Sequence, residues 1–351
     1  MAEDNRLNIG KFTLLLNGTE LTGELISAVE AVTIEDEINL PAMFTISFNI
    51  DDFFKGAWRG IDLETFKLGD EIQVMMGMDE SEEMLIGEIT ALEPSFGQRS
   101  SMEIRGYDRL HRLRFGTYRR SFKDMKDSDI ASTIASEADL SAEVDDTETV
   151  HPYVFQNNLS NFEFLTERAG LIDFEMFVDD KTFIFRKSQE DKTAELTLEY
   201  GIELESISLN LRTLTEGSEV EVRGWDVMNK EEITSSASAG SEKSVMGGEK
   251  TGYKLSETAF GASSIAIVDD VVIDSTAAEK MAKAKYNSML RKFITGEGTT
   301  LGNPAIRAGK TLEIEGLGDR FSGTYYVVSS VHSYNSSDGY MTKFKVRRTG
   351  V

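Results

Sequence analysis

Apolar and polar residues alternate along much of the first part of the chain. The alternation fills six runs: FTLLLNG, AVEAVTIEDEI, AMFTISFNI, DEIQVMMGM, EMLIGEITALE and SMEIRGYD. A period of two is typical of strands that bury one face. Asn17 and Gly18 favour a hairpin turn, because both residues tolerate positive φ. The pattern therefore predicts antiparallel β structure between Phe12 and Arg105.

The spacing of apolar residues becomes helical between residues 121 and 187. It predicts one helix over 126–138 and a second over 160–169, followed by a hairpin that turns at Asp179-Asp180. Together these segments predict a compact α+β insert. The expected caps are Asp127 or Ser128 for the first helix, Ser160 with Glu163 for the start of the second, and Gly170 for its end.

Strand-like runs return after this insert, in ELTLEY, LESISLNL and SEVEVRGWDV. Residues 233–264 are rich in Ser, Gly, Ala and Glu and show little periodicity, so we expect a loop or linker there. Residues 274–292 predict a long helix in which Glu279 can pair with Lys283. The runs LEIEGL, TYYVVSSVHSY and YMTKFKVRR then predict strands up to the C-terminus.

Three short motifs of the first strands recur near the C-terminus. Gly69-x-x-Ile72-x-Val74, Gly87-x-Ile89 and Met102-x-Ile104-Arg105 are matched in order by Gly309-x-x-Leu312-x-Ile314, Gly323-x-Tyr325 and Phe344-x-Val346-Arg347. The gaps between the motifs differ by several residues. Two interpretations stay open: an internal duplication that gives one chain two similar β-barrels, or two β-meanders that are alike by chance.

Composition excludes several kinds of site. The 351 residues include no cysteine, which rules out disulfides, thiolate metal sites and cysteine nucleophiles. The 61 acidic and 37 basic residues give a formal charge of -24, so we expect no specific nucleic acid binding. The sequence lacks a secretory signal and an apolar run of about 18 residues, which predicts synthesis in the bacterial cytoplasm and no membrane-spanning segment.

Candidate catalytic chemistry is sparse. His111, His151 and His332 lie far apart in the sequence and in no metal-ligand spacing. Acidic runs such as 35–37 and 145–146 are the only support for a glycan hydrolase, and such runs are usually solvated. We therefore expect no enzyme activity and no catalytic, metal or cofactor site.

One aromatic segment is a candidate interface. Phe53, Phe54 and Trp58 lie between two predicted strands, in a connection too long for a tight hairpin. Large aromatic residues are favoured both in protein cores and at the centres of interfaces. These three residues therefore either cap their own barrel or contact a neighbouring subunit.

The C-terminal segment resembles a known family. GEGTTLGNPAIRAGKTLEIEGLGDRFSGTYYVVSSVHSYNSSDGYMTKFKVRR is similar to the last module of the phage late control gene D family, the central hub proteins of contractile phage tails and contractile injection systems. The resemblance continues upstream in GYDRLHRL, in YVFQNNLSNFEFLTERAGLIDFEMFVDDKTFIFRK and in EVRGWDVMNKEEI. It thus covers nearly the whole chain.

The resemblance implies a homotrimeric hub that joins a hexameric inner tube to a trimeric spike. The expected fold is mainly β with an α+β insert: two tube-like antiparallel β-barrels per chain plus a helix-containing middle domain. The expected partners are a separate spike protein, the inner tube or tube-initiator protein, and other baseplate proteins. The mature protein would belong to a phage tail or to an injection-system particle.

The patterns along the chain, together with the resemblance, give the expected domain boundaries. We expect a first barrel over 1–115, the insert over 116–195, returning strands over 196–232, the loop over 233–264, and a second barrel with one long helix over 265–351. Some related type VI secretion hubs continue into an oligosaccharide-binding-like domain and a β-helical needle, whereas Val351 ends this sequence. The spike is therefore expected on another polypeptide. A baseplate-associated glycan hydrolase and a cell-surface-binding tail protein stay open as alternatives.

Overall fold

The computed structural model describes residues 10–52, 57–58, 65–226, 229–268 and 272–351. The helices are few and the strands many, so the chain is mainly β, as predicted. The strands are β1 (Lys11–Leu16), β2 (Thr19–Glu20), β3 (Val29–Glu37), β4 (Met43–Asn49), β5 (Asp51–Asp52), β6 (Ala57–Trp58), β7 (Glu71–Gly77), β8 (Glu82–Ser95), β9 (Ser101–Tyr107), β10 (Tyr118–Lys126), β11 (Ser141–Val144), β12 (Val150–Leu159), β13 (Phe174–Asp179), β14 (Thr182–Lys187), β15 (Leu196–Glu199), β16 (Leu204–Leu211), β17 (Glu219–Asp226), β18 (Glu231–Ala237), β19 (Ser264–Ile267), β20 (Ile294–Leu301), β21 (Thr311–Glu315), β22 (Gly323–Asn335) and β23 (Gly339–Arg348). The helices are α1 (Glu24–Ser27), α2 (Asp127–Glu137), α3 (Asn161–Ile172), α4 (Gly252–Phe260), α5 (Ser275–Leu290) and α6 (Gly318–Phe321), with a 3-10 helix over Arg109–Arg114.

One large sheet organises the molecule. Its strand order is β16-β20-β23-β22-β3-β4-β9-β8-β7-β1-β2, and β21 links β15 to β22. We call β1–β4 with β7–β9 the first β module, and β15, β16 and β20–β23 the second β module. Each module encloses its own apolar core. The sheet is therefore continuous across two separately packed halves.

The predicted alternation is visible in the burial of single strands. In β4, Phe44, Ile46 and Phe48 are fully buried while the residues between them are partly exposed. The hairpin between β1 and β2 turns at Asn17 and Gly18, whose φ angles are 50° and 77°. Positive φ at both positions is the geometry that matches the twist of a two-residue hairpin. This part of the sequence prediction is confirmed.

The α+β insert has a separate core. Antiparallel β10–β12 and the three strands β11-β14-β13 pack with α2 and α3 around buried residues such as Phe164 and Phe185. Both predicted helices are present, and the Ser160–Glu163 capping box starts α3. Two details differ: the N-cap of α2 is Lys126, and α3 continues past Gly170 because Asp173 ends it in the left-handed conformation.

The loop prediction for residues 233–264 is wrong in part. That segment contains most of β18, all of α4 and the start of β19. The physical reason is long-range packing: Tyr253 is buried against Tyr286 of α5, with ring centroids 4.4 Å apart. The strand β17 also departs from prediction, since it pairs with β18 and β19 rather than returning to the large sheet. Residues of α5 cover this small sheet.

Among the described residues, the helices are too short or too polar to cross a membrane.

Candidate functional site

The two β modules have the same strand order. Across the sheet, the first runs β3-β4-β9-β8-β7-β1 and the second runs β16-β20-β23-β22-β21-β15. The counterparts also follow one another in the same order along the chain. One pairing differs, because β1 is antiparallel to β7 whereas β15 is parallel to β21.

The pairing registers of the modules match as well. β3 and β16 each shift register by one residue, after Val29 and after Leu204. β8 and β22 shift likewise, after Ile89 and after Val327. β-bulges are specific features of a strand pair, so their recurrence at corresponding positions makes chance similarity of two meanders a poor explanation. The likeness of the two halves is residue by residue.

The predicted motif matches need one correction. Gly69 corresponds to Gly309, as expected, but the registers align Gly87 with Tyr325 and Ile104 with Phe344. The second and third motifs are therefore displaced by two residues. A displacement of two leaves every side chain on the same face of its strand, so the alternation in the sequence does not detect it.

The two modules meet at a strand junction inside the chain. Residues 329–335 of β22 pair antiparallel with residues 31–37 of β3. Asp36 is the polar centre of this internal junction: it accepts hydrogen bonds from the Ser330 N–H at 3.0 Å, from the Ser330 hydroxyl, and from Arg307 Nε at 2.7 Å. The junction is therefore closed by a charge-assisted network as well as by the ladder.

His332 extends that network into the core. Its Nε2 lies 2.9 Å from the Ile306 carbonyl, which can only accept, so Nε2 carries the hydrogen. Nδ1 is then free to accept from the Tyr340 hydroxyl at 2.9 Å. Burial and the nearby Arg307 charge lower the pKa of His332 to about 4. The side chain is a neutral structural residue at neutral pH.

A role for Asp36 was not predicted, because acidic runs such as 35–37 are usually solvated. The signal was present, because Asp36 shares the face of β3 that carries buried Val32 and Ile34. An acidic residue on a buried face needs specific partners, and the strand pattern alone does not identify them.

A second ionic cluster ties the insert to the second module. Arg291, just after α5, binds Asp173 through Nη1 and Nη2 and binds Glu190 through Nε and the same Nη2, both bonds to Glu190 being 2.9 Å long. Arg347 of β23 lies 3.2 Å from the same Glu190. Burial alone would raise the pKa of Glu190, but the two guanidinium groups hold it below its usual range.

The insert contains the arrangement nearest to a catalytic site. Asp127 accepts from Arg168 Nε at 2.6 Å and lies 2.9 Å from His151 Nε2, beside a cavity of about 360 Å³. Burial opposes ionisation of Asp127, yet His151 and Arg168 keep its pKa below the ordinary value. Among the described contacts, no hydroxyl group binds His151, so these residues lack the nucleophile of a hydrolase triad. The described ranges also contain no group of three or more acidic or histidine side chains placed to hold a metal.

The predicted aromatic interface falls mostly outside the described residues. Phe53 and Phe54 lie outside them, and for Trp58 only the backbone is described, in β6 opposite Asp51. Whether these residues face a core or a partner stays a prediction. Other aromatic side chains are exposed on the insert, where Tyr153 and Phe155 of β12 stack with ring centroids 6.3 Å apart.

Two solved structures with similar folds are tail proteins. The 43 kDa tail protein of prophage MuSo2 from Shewanella oneidensis has a TM-score of 0.70 at 13% identity, over 97% of this chain and 98% of that chain. The tail protein from Neisseria meningitidis MC58 also has a TM-score of 0.70, at 12% identity, over 97% of this chain and 96% of that one. The resemblance to tail proteins predicted from the sequence is confirmed at the level of the fold.

A third similar structure comes from a secretion system. The E. coli c3393 protein, described as a type VI secretion component with structural similarity to the T4 bacteriophage tail proteins gp27 and gp5, has a TM-score of 0.62 at 14% identity. The match covers 96% of this chain and 77% of that chain. A search of curated protein sequences finds no match.

A family model gives the sequence-level assignment. The model described as the Alg8 N-terminal domain matches residues 6–336, which include both β modules up to the last hairpin, the insert and the small sheet. The match thus extends over all parts of the fold except the last strand, β23. This chain belongs to the Alg8 N-terminal domain family.

Proposed function

We propose that this chain is a non-catalytic central hub of a contractile tail or contractile injection system. It acts as a homotrimeric adaptor between the hexameric inner tube and the trimeric spike. One observation carries the proposal: a single chain contains two β modules with the same strand order and the same bulges. The tail-protein fold supports the same conclusion.

The different symmetries of spike and tube pose a geometric problem. A threefold spike and a sixfold tube cannot make equivalent contacts unless a layer between them presents three similar surfaces to the spike and six to the tube. Three chains with two similar modules each present six similar surfaces while the assembly keeps threefold symmetry. A duplicated module within one chain is therefore the feature that an adaptor needs.

The proposed partners occupy different sides of this ring. The tube or tube-initiator protein would contact the β modules, and a separate spike protein would contact the inserts, where exposed Tyr153 and Phe155 offer apolar area. Other baseplate proteins would surround the ring within the tail or injection particle. The formal charge of -24 would repel nucleic acid from any lumen that the ring encloses.

Mass measurement tests this proposal. The chain is co-expressed with its proposed spike protein, and the complex is weighed by native mass spectrometry. We expect three copies of the 39.1 kDa chain in each particle. A stable monomer under those conditions contradicts the proposal.

The glycan hydrolase alternative is tested separately. Purified protein is examined by zymography on cell-wall substrate, with a known lysozyme as positive control. We expect no clearing, because glycoside hydrolysis uses a pair of carboxyl groups and, among the described residues that line the cavity beside His151, Asp127 is the only acidic one. Clearing by the wild-type chain that is lost in Asp127→Asn would establish an enzyme instead.

We also propose Phe53, Phe54 and Trp58 as a contact patch for a neighbouring subunit or for the tube. Aromatic residues at an interface centre commonly contribute a large share of the binding free energy. Trp58→Ala should therefore reduce particle assembly without changing the thermal unfolding of the chain by itself. Normal particle yield from Trp58→Ala would dismiss this patch.

A further inference from the structure

Two strand edges have no strand partner among the described residues. β16 pairs with β20 on one side only. β8 pairs with β7 up to Glu88, and from Ala91 to Ser95 it pairs with β9 alone. Such edges expose N–H and C=O groups that can bind another strand. We call residues 208–212 the β16 edge and residues 91–95 the β8 edge.

The internal junction shows how these edges can be used. There β22 pairs with β23 on one side and, beyond β21, with β3 on the other. β22 is the counterpart of β8, and β3 is the counterpart of β16. The long strand β22 of the second module thus pairs with the first module. The equivalent part of β8 in the first module has no such partner among the described residues.

This makes the internal junction a head-to-tail contact. In such a contact the two surfaces are different, so each unit that uses one surface still offers the other. The chain uses one pair of surfaces internally and keeps the β8 edge and the β16 edge at its two ends. A second copy of the chain carries the complementary edge.

The matched registers predict which residues would meet. At the internal junction Val331 is opposite Glu35, and Ser330 is opposite Asp36. Their counterparts are Glu93 and Asn210, and Leu92 and Leu211. The β8 edge and the β16 edge would therefore pair antiparallel with Leu92 opposite Leu211 and Glu93 opposite Asn210.

The side chains on these two edges are complementary. Leu211 is 39% exposed on the same strand face as Ile207 and Leu209, and Leu92 is only partly covered by the core of the first module. Pairing would place the two leucines opposite each other, where the internal junction has Ser330 and Asp36. Cross-strand apolar pairs of this kind stabilise a sheet.

Charge favours the same register. Glu93 and Arg212 would be diagonal neighbours on the other face of the sheet, within reach of long side chains. Arg212 makes no ion pair with the described residues, and Glu93 has a surface contact to Arg105 at 3.2 Å. Pairing would bring opposite charges together.

We propose that the β16 edge of one chain pairs antiparallel with the β8 edge of a second copy, in the register Leu92–Leu211 and Glu93–Asn210. This deepens the proposed function, on which it rests for the number of copies that close the ring. The contact itself follows from the internal junction. Repeating it around a ring would make every module-to-module contact similar, with alternating polar and apolar centres.

Pro94 sharpens the test. It stands where His332 stands at the internal junction and has no N–H to donate, so the ladder would have one donor fewer. Proline on an edge strand also serves in some proteins to prevent pairing. Cross-linking distinguishes a β8 edge that pairs despite Pro94 from one that Pro94 keeps unpaired.

The absence of cysteine makes a clean cross-linking experiment possible. Ile38 donates to the Val328 carbonyl at 3.0 Å, which makes Val328–Ile38 a hydrogen-bonded pair. Pair types alternate along an antiparallel ladder, so Val331–Glu35, three residues further on, is of the closer, non-hydrogen-bonded kind. The corresponding variant of the full chain is Glu93→Cys with Asn210→Cys. The matched control is Glu93→Cys with Ser206→Cys, which keeps the strand face but moves the second thiol about 14 Å along the strand.

Oxidised samples are compared on denaturing gels without reductant, and native mass is measured in parallel. We expect about tenfold more chain-to-chain cross-link from the 93/210 pair than from the 93/206 pair, because a disulfide tolerates little separation of its Cβ atoms. Multimers by mass without a preferred 93/210 cross-link would overturn this junction and leave the proposed trimer standing. Monomers by mass with no cross-link would overturn both.

A substitution gives independent evidence. Leu211→Asp should lower the multimer fraction at least about tenfold, since it places a carboxylate in the apolar centre of the contact. Phe260→Asp is the control, because Phe260 is 76% exposed at the end of α4, outside the large sheet. Equal assembly of the two variants would overturn the proposed contact.

Discussion

The first and second β modules share a strand order but differ in the segment that connects their first two paired strands. Between β3 and β4 the first module has only residues 38–42, whereas between the counterparts β16 and β20 the second module contains the small sheet with α4 and α5. The bulges and pairings on either side of these connections are nevertheless the same. The pairing register is thus the same in both modules, and the additional residues of the second module lie in the connection between two strands.

The internal junction and the proposed contact between chains also differ, in the residue at the centre of each. Asp36 closes the internal junction through Ser330 and Arg307, whereas its counterpart in the second module is the exposed Leu211. A polar network binds only a partner that satisfies its hydrogen-bond geometry. An exposed apolar residue instead contributes apolar area that a second surface has to cover. The modules are alike in backbone and specialised in side chains.

The largest expected effect comes from the ionic cluster that ties the insert to the second module. Arg291→Met should lower the free energy of unfolding by about 4 kcal/mol, because it leaves Asp173 and the buried Glu190 without their main cation. Urea denaturation measures the loss. Lys292→Met is the matched control: its pair with Glu216 is exposed, so about 0–1 kcal/mol is expected. Equal losses would mean that the buried cluster is not the anchor.

The internal junction is next in size. Asp36→Ala should destabilise the chain by about 3 kcal/mol, since Arg307 and the Ser330 N–H lose a charged acceptor. The neighbouring Glu35→Ala, on the exposed face of β3, should stay within about 0.5 kcal/mol of wild type in the same urea titration. If the two variants unfold alike, the polar network does not hold the modules together.

His332 gives a pH-dependent test of the same junction. Its folded pKa of about 4 lies below the ordinary 6.5, so between these values the unfolded chain binds more protons. The contribution is complete above pH 6.5 and falls as the pH drops toward 4; at pH 5 about 2 kcal/mol should be lost. His332→Gln should remove that part of the pH dependence of unfolding. An unchanged difference between pH 7.5 and pH 5 would contradict the assignment.

The smallest expected effect concerns α4, which has no counterpart among the described residues of the first module. The Thr251 hydroxyl accepts from the Lys254 N–H at the start of this helix. Thr251→Ala should cost about 1 kcal/mol in thermal or urea unfolding. Thr258→Ala, in the same helix, should cost nothing, because its hydroxyl bonds only the Lys254 carbonyl one turn back. A loss at Thr258 alone would reverse this interpretation of the cap.

Local patterns predicted most of the elements. The alternation in residues 12–105, the capping box at Ser160 and the helix at 274–292 are all properties of neighbouring residues. The helix α4 escaped prediction because it is short, lies in a stretch rich in Ser and Gly, and is held by Tyr253 against Tyr286, far along the chain. Propensity does not report such contacts.

The internal junction was beyond sequence reasoning for a different reason. A period of two identifies which face of β3 is buried, yet not which strand pairs with it. Asp36 and Ser330 are 294 positions apart, and nothing local to either strand identifies the other. The repeated motifs pointed to two similar modules, and their two-residue displacement became visible only through the pairing registers.

The central claim is that one chain supplies two equivalent positions in a ring. Image reconstruction of the assembled particle without imposed symmetry tests it most directly. We predict six similar β-module densities built from three copies of this chain, with the connected α+β inserts repeating only three times. Six copies of the chain in the ring, or three module densities instead of six, would contradict the account.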